Sequence, residues 1–257
     1  AQVIIDFVKD RLNGQYLIVK ERIESASSDP GSIPANVWLD SGSSRTVVEE
    51  NGLKFGVDLD DTLNSGLFLD MRSNRKAVAG FARGRRVLNC FSYTCSFGVY
   101  CRAGGAAAVV NVDVSRKSLE RGARNYALNG LTPEKNELIR ADAVEYLERA
   151  GRKDNRFDLI ILDPPSFARY EGKAFSVKKD LAPLVALAMK VLNPGGILFV
   201  ATNFSAMSHE NIEDMIIAAS GKRGIRNVQT LGQDVDFVGS GLMQESYLAA
   251  VLAETCG

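Results

Sequence analysis

The chain has 257 residues, 46% hydrophobic and 24% charged, enough for one large α/β domain with a small appendage. Its 31 basic and 31 acidic residues cancel, which excludes a global attraction to nucleic acid or an anionic membrane. A polyanion would have to be held by local clusters: Arg72 with Arg75, Arg83-Arg85-Arg86, Lys173 with Lys178-Lys179, or Lys222-Arg223-Arg226.

The first residue is Ala and not Met, so a fragment or processed product is expected, and no signal-peptide pattern opens the chain. Val3, Ile4, Phe7, Val8 and Leu12 recur at helical spacing, and 16–19 then reads as a strand. A Ser/Pro/Gly-rich loop over 25–34 precedes short strands at 37–39, 45–50 and 53–59, the last two joined by Asn51-Gly52, a strong two-residue hairpin signal. Residues 1–65 are therefore expected to form a small β-rich module.

From residue 66 strands and helices alternate. Helices are predicted over 71–82, 96–102, 116–129, 143–150 and 180–191, and strands over 86–91, 108–113, 137–140, 157–162 and 197–202. Asn193-Pro194-Gly195-Gly196 supplies the stop before the last of these. Repeated βα units imply a parallel sheet covered by helices on both faces. Two final strands, 226–231 and 246–252, read as an antiparallel hairpin at the sheet edge. No apolar run reaches the roughly 18 residues needed to span a bilayer, so no membrane is expected and the cytoplasm is the expected location.

The run Phe157-Asp158-Leu159-Ile160-Ile161-Leu162 ends in Asp163-Pro164-Pro165-Ser166-Phe167. Two prolines cannot continue a central strand, since each lacks an N–H and fixes φ. The chain must leave the sheet there and deliver Asp163 to its carboxyl edge, where ligands of open α/β sheets bind. A planar substrate could rest on Phe167 while Asp163 or the Pro164 carbonyl accepts a hydrogen bond from it. Asp113 and Asp142 also follow strands and are placed for ribose hydroxyls and an adenine amino group, with small Ala143 leaving room for the ring; each could instead cap the following helix. The first strand leads into Asn89-Cys90-Phe91-Ser92-Tyr93-Thr94-Cys95, which lacks the Gly-x-Gly-x-x-Gly that cradles a pyrophosphate, so a dinucleotide is not expected. The single histidine, His209, excludes most His-based zinc sites and Ser-His or Cys-His nucleophile systems, and no metal is expected. Cys90, Cys95, Cys101 and Cys256 lack paired metal-ligand spacing and read as free thiols.

In combination, "LNCFSYTCSFG", "VDVS", "ADAVEYL", "DLIILDPPSFAR" and "LNPGGILFVATNFS", with "VEENGLKFGVDLDDTLNSGLFLDMRSNR" upstream, resemble class I S-adenosylmethionine-dependent methyltransferases that modify 23S ribosomal RNA of the large subunit. The resemblance covers about 47–252. It implies a Rossmann-like class I methyltransferase sheet with an antiparallel C-terminal hairpin over 66–257, after the β-rich module. It also implies S-adenosylmethionine as cofactor and RNA as partner, and leaves a homodimer open. The cofactor-binding set carried over is Phe68, Asp70, Arg72, Asn89, Phe91, Ser92, Tyr93, Asp113, Val114, Ser115, Asp142, Ala143 and Asp163, with Arg75 a second candidate for an anion. The catalytic set is Asp163, Pro164, Phe167 and Asn203, and the basic, aromatic stretch 168–179 is expected to act as a lid. Family members usually have glycine in place of Cys95, so a side chain is expected to intrude near the cofactor. Members that methylate cytosine C5 carry a Ser-Cys-Ser segment where this chain has Asn203-Phe204-Ser205. A base nitrogen is therefore the expected acceptor, because C5 needs a thiolate to add at C6 first. Alternatives are cytosine C5 transfer, methylation of a small molecule or protein, or a cofactor-binding RNA-assembly factor without turnover.

Overall fold

The computed structural model describes residues 6–7, 10–11, 16–20, 35–40, 42–61, 64–170, 172–234, 236–237 and 247–257. The chain divides into two units, Ala1–Leu67 and Phe68–Gly257. In the first, Asp6, Phe7, Asp10 and Arg11 are helical, and β1 (Tyr16–Lys20) pairs antiparallel with β2 (Ala35–Asp40). Strands β3 (Arg45–Glu50) and β4 (Leu53–Asp58) form the hairpin expected at Asn51-Gly52, with Glu50 opposite Leu53. Both turn residues are left-handed, at φ 51° and 81°, as a type I′ turn requires. The loop expected over 25–34 lies outside the described residues.

The second unit opens with a 3-10 turn, Leu69–Met71, leading into α1 (Arg72–Ala79). Then come β5 (Arg86–Cys90), α2 (Ser96–Ala103), β6 (Ala108–Asp113), α3 (Arg116–Leu128), β7 (Leu138–Arg140), α4 (Ala143–Arg152) and β8 (Phe157–Leu162). After β8 come β9 (Phe167–Tyr170), β10 (Lys173–Ser176), α5 (Val177–Val191), β11 (Leu192–Thr202), α6 (His209–Ser220), β12 (Ile225–Leu231) and β13 (Ala249–Thr255). Seven strands form one sheet in the order β12-β13-β11-β8-β5-β6-β7. The five from β11 to β7 are parallel, and β13 runs antiparallel to both β11 and β12.

Neighbouring residues along β5, β6, β8 and β11 enter opposite cores. Leu88, Val110, Ile160 and Leu198 join one buried layer, while Val87, Val109, Leu159 and Phe199 join the other. Helices cover both faces, which is why these strands read as continuous apolar runs without polar alternation.

Four elements differ most from the sequence expectation: β11 begins at Leu192, so that Asn193-Pro194-Gly195-Gly196 lies inside the strand and does not precede it, and three others depart as follows. The presumed lid stretch contains an antiparallel hairpin, β9 with β10, before α5 starts at Val177 and not at residue 180. Pro183 lies inside α5, and local turn and helix signals compete there. Strand β13 is shifted toward the C-terminus because its buried core is Ala249–Ala253; alanine is a poor strand former until neighbours β11 and β12 bury it.

Asn89 is 1% exposed and Asn111 fully buried. The Asn89 amide donates to Asn111 Oδ1 at 2.9 Å, and the Asn111 amide donates to the Tyr126 hydroxyl at 3.0 Å. Gly98 of α2 closes over this network: a Cβ there would lie 2.1 Å from Asn111 Oδ1 and 2.8 Å from the Tyr126 oxygen. Gly98→Ala should therefore cost about 2–4 kcal/mol by overpacking and by breaking buried hydrogen bonds. Urea unfolding measures it, and an unchanged midpoint would show that α2 does not rest on the network.

Candidate active site

Strand β5 has β6 on one side and β8 on the other, so successive crossovers leave it in opposite directions and a crevice opens at the carboxyl ends of β5 and β8. The loop after β5 has an unusual backbone. Phe91, Tyr93 and Cys95 are all left-handed, at φ 55°, 46° and 60°. A left-handed L-residue costs roughly 1–2 kcal/mol, so the surroundings must hold the loop. The Ser92 N–H donates to Val112 O at 3.0 Å and the Tyr93 N–H to Asp113 Oδ2 at 2.8 Å, while the Cys95 N–H donates to Ser92 O at 2.7 Å.

The Cys95 side chain does not enter the crevice, contrary to the expectation from the family pattern. It is fully buried and packs on Gly122 of α3, where an added Cβ would lie 2.4 Å from its sulfur. Asn89 is likewise withdrawn, since its amide is committed to Asn111 beneath the loop. Among the other loop residues, Ser92 is buried, Phe91 stands 5.6 Å from the Phe175 ring of β10, and Tyr93 stands 5.5 Å from the Phe68 ring. Phe68 is 45% exposed and could cover a flat ligand.

Three acids end strands or open helices at this edge. Burial raises the pKa of Asp113, opposed by hydrogen bonds from the Ser115 and Tyr93 N–H groups; each carboxylate oxygen keeps a second lone pair for a ligand hydroxyl. Ser115 also caps α3, accepting from the Ser118 N–H at 3.1 Å, and Val114 O accepts from Arg140. Asp142 caps α4, as the alternative reading allowed, but both bonds, from Val144 N at 2.9 Å and Glu145 N at 3.1 Å, go to Oδ1. Its Oδ2 can still receive an amino group, and the adjacent Ala143 is buried.

Asp163 differs: its carboxyl has no hydrogen-bond partner among the described residues. Burial pushes its pKa up to about 7, with the negative charge of Asp70 adding and the Arg75 guanidinium partly opposing. Asp70 is held by the Tyr247 hydroxyl, which donates to Oδ2 at 2.9 Å; burial, then this bond to Asp70, push the phenol to about 12, so it remains a donor. Arg75 is buried and donates to Phe68 O at 2.9 Å. Arg72, expected to reach an anion, has its guanidinium turned to Asp236 at 2.8 Å and Asp234 at 3.4 Å. Tyr247, Asp234 and Asp236 had no local sequence signal, because they meet their partners across more than 160 residues.

Past Asp163, Pro164 is buried and Phe167 is 56% exposed, with the Arg169 guanidinium 5.5 Å from its ring. The Ser166 hydroxyl donates to Asn203 Oδ1 at 2.8 Å, joining the turns after β8 and β11. Cys90, Cys95 and Cys101 are fully buried. Burial holds all three thiols protonated, Cys95 and Cys101 pushed up to about 12. Among the described residues no three His, Cys, Asp or Glu side chains are grouped to hold a metal ion, and no helix is long and apolar enough to cross a membrane.

The strand-order switch, with acids at the strand ends and the exposed Phe68 ring near Tyr93, is the arrangement in which α/β sheets hold a nucleoside. The chain belongs to the S-adenosylmethionine-dependent methyltransferase family, whose model matches residues 12–236. It is 45% identical over 159 residues to ribosomal RNA large subunit methyltransferase K of Neisseria meningitidis, covering 61% of this chain and 45% of that protein. It is 38% identical over 185 residues to ribosomal RNA large subunit methyltransferase I of Aeromonas salmonicida, covering 72% and 46%. The chain thus spans about half the length of these relatives. The crystal structure of SMU.776 complexed with SAH superposes with a TM-score of 0.78 at 30% identity, over 86% of this chain and 58% of that one. The fold is also that of a SAM-dependent methyltransferase from Agrobacterium tumefaciens, with a TM-score of 0.74 at 19% identity, over 96% and 79%. S-adenosylmethionine is accordingly the cofactor the site has to fit. It does: the negative charge of Asp70 raises the pKa of Asp163 and the Arg75 guanidinium opposes this only in part, an arrangement that a cationic ligand would relieve.

Two expectations follow. Between the ordinary 3.8 and about 7, folded Asp163 holds its proton more tightly than the unfolded chain does, so its contribution to stability falls as pH rises through that window. Without cofactor, Asp163→Asn should raise the melting temperature at pH 8 by more than at pH 5; a pH-independent difference would contradict the raised pKa. Gly122→Ala should destabilise through the Cys95 sulfur, and adding Cys95→Gly should recover much of the loss, a coupling read by a double-mutant cycle. Strict additivity would mean the two do not pack together.

Proposed function

We propose that this chain is the catalytic part of an enzyme that methylates large-subunit ribosomal RNA at a base nitrogen, acting in the cytoplasm. The observation that carries the reading is Asp163: a carboxyl with no hydrogen-bond partner among the described residues, just past the end of β8, followed by the buried Pro164 and the exposed ring of Phe167. The names of the relatives in Neisseria and Aeromonas support the choice of RNA.

In this reading 68–257 is the methyltransferase domain and 1–67 an appended module. Asp113 holds the ribose, with Val114 and Ser115 beside it. Asp142 Oδ2 and Ala143 receive the adenine. Phe91, Ser92 and Tyr93 flank the methionine part beneath Phe68, and Asp70 with Asp163 faces the cationic centre. The cofactor supplies a methyl already activated on a sulfonium, so the protein has to align the acceptor and exclude water. Phe167 stacks the base, the Pro164 carbonyl and Asn203 hold its edge, and the β9–β10 hairpin covers it. Enzymes acting on bases in structured nucleic acid need the base unstacked. A carboxyl with a pKa of about 7 is suited to take the proton that a nitrogen acceptor loses. The cysteines favour nitrogen over cytosine C5: Cys90, Cys95 and Cys101 are buried and protonated, and Cys256 follows β13 near the chain's end.

Asp113→Ala should weaken S-adenosylmethionine binding by roughly 1.5–3 kcal/mol, the range for hydrogen bonds to a charged group; calorimetry giving equal affinity would misplace the ribose. With methyl-labelled cofactor and unmodified RNA, a variant lacking all four cysteines, checked to be folded, should still transfer methyl. Asp163→Ala should lose on the order of a hundredfold or more, the scale of a lost positioning group. Recovery of 5-methylcytosine as the labelled nucleoside would overturn the nitrogen assignment.

A further inference from the structure

The opposite edge of the sheet is lined with cations. The chain passes Arg83, Arg85 and Arg86 on entering β5, Arg152, Lys153 and Arg156 before β8, Lys190 before β11, and Lys222 and Arg223 before β12. Strands β5, β8 and β11 are parallel, and β12, antiparallel to β13, starts at the same edge. In the order β12-β13-β11-β8-β5 these residues therefore form one row, roughly 20 Å long at the usual strand spacing.

Part of the row has a structural task. Arg85 donates to Asp158 O at 3.5 Å, Arg86 to Arg156 O at 3.1 Å, and Arg156 to Lys190 O at 3.0 Å. Arg223 donates to Met189 O and Leu192 O at 3.1 and 2.8 Å. Arg156 and Arg223 thereby answer carbonyls at the C-terminal end of α5, while Arg85 and Arg86 hold carbonyls at the entry to β8. The nearby acids are also engaged: Asp154 pairs with Arg156 at 2.7 Å, Glu254 pairs with Arg226, and Asp158 accepts from Arg86 N at 2.8 Å and Asn193 at 2.7 Å. Arg83, Lys153, Lys190 and Lys222 are surplus to that task. All four are exposed, and none has an acidic partner among the described residues.

We propose that this edge docks the phosphate backbone of RNA, in a segment of the substrate remote from the nucleotide being modified. The proposal rests on the RNA methyltransferase reading and adds a second contact surface to it. With zero net charge, and with Asp70, Asp113, Asp142 and Asp163 at the catalytic edge, attraction for a polyanion must come from local cations. Unpaired lysines suit this role as hydrated point charges that need no fixed geometry. The row contains no exposed large apolar side chain, whereas a protein partner would need an apolar interface core. Strands of five or six residues, as β5 and β8 are, separate the two edges by roughly 17–20 Å. Only a folded RNA large enough to wrap the sheet's end reaches both.

The test uses the full chain and two triple variants, K153E/K190E/K222E and the neutral K153Q/K190Q/K222Q, with melting curves to verify the fold. Binding is measured against salt for a folded large-subunit ribosomal RNA domain and for a short RNA hairpin. For the long RNA, affinity should fall about tenfold or more in the Glu variant, and the slope of log affinity against log salt should become shallower by about 2–3, one phosphate contact per lysine. Affinity for the short hairpin and for S-adenosylmethionine should stay unchanged. Equal long-RNA affinity and slope in both variants, or equal losses on short and long RNA, would overturn the proposal. So would loss of polyglutamate binding with RNA binding intact, which would make the edge an acidic-protein site. Methyl transfer by the unaltered protein is scored separately: its absence on ribosomal RNA sinks the methyltransferase reading, whereas equal binding sinks the docking edge.

Discussion

Parallel alignment of β11, β8, β5, β6 and β7 is the constraint from which the rest follows. A parallel strand can be rejoined only by a crossover, here a helix running back against it, so all strand carboxyl ends and all crossover-helix N-termini meet at one edge. The other edge collects helix C-termini. Helix dipoles favour acids at the first edge and cations at the second, and the chain follows this sorting: Asp113, Asp142 and Asp163 stand at one edge, and Arg85, Arg86, Arg156 and Arg223 hold carbonyls at the other. A chain with no net charge thereby becomes electrically polarised.

The same edge concentrates backbone strain. Three left-handed non-glycine residues alternate in the loop after β5, at a cost that would disfavour the conformation in a free peptide. Tyr93 N is tied to Asp113, Ser92 N to β6, and the Cys95 side chain fills space that Gly122 leaves open on α3. Glycine thus stands in the facing helix and not in the loop. The room that the Cys95 side chain needs is left by Gly122 across the contact.

Much of this was legible in the sequence because it is local. Apolar runs of five or six residues bounded by turn signals marked the strands, Asn51-Gly52 marked its hairpin, and two prolines after Asp163 marked where the chain must leave the sheet. What stayed hidden depends on contacts between distant positions. Nothing near Tyr247 announces Asp70, and nothing near Asp234 or Asp236 announces Arg72 and Ser73. Asn89, named for the cofactor through the resemblance, has a side-chain amide committed to Asn111 on the neighbouring strand, a contact with no local signal. The basic clusters at 83–86 and 222–226 could be named from the sequence only as separate candidates for a polyanion, and the strand order places both on one edge.

The acids at the crevice also bear on how a methyl donor could be told from its product. Asp163 is desolvated beside Asp70, and Arg75 offsets only part of that burden. A ligand carrying positive charge relieves the remainder, and one carrying less relieves less. Methyl transfer turns a sulfonium into a neutral sulfide, so the product returns part of the electrostatic strain that the substrate had removed. Under the proposed function, the carboxyl pair would hold the charged cofactor and loosen its hold once the charge is gone. Tyr247 belongs to the same arrangement: its hydroxyl donates to Asp70 Oδ2, and the raised pKa of the neighbouring Asp163 places a proton-holding carboxyl just past the end of β8.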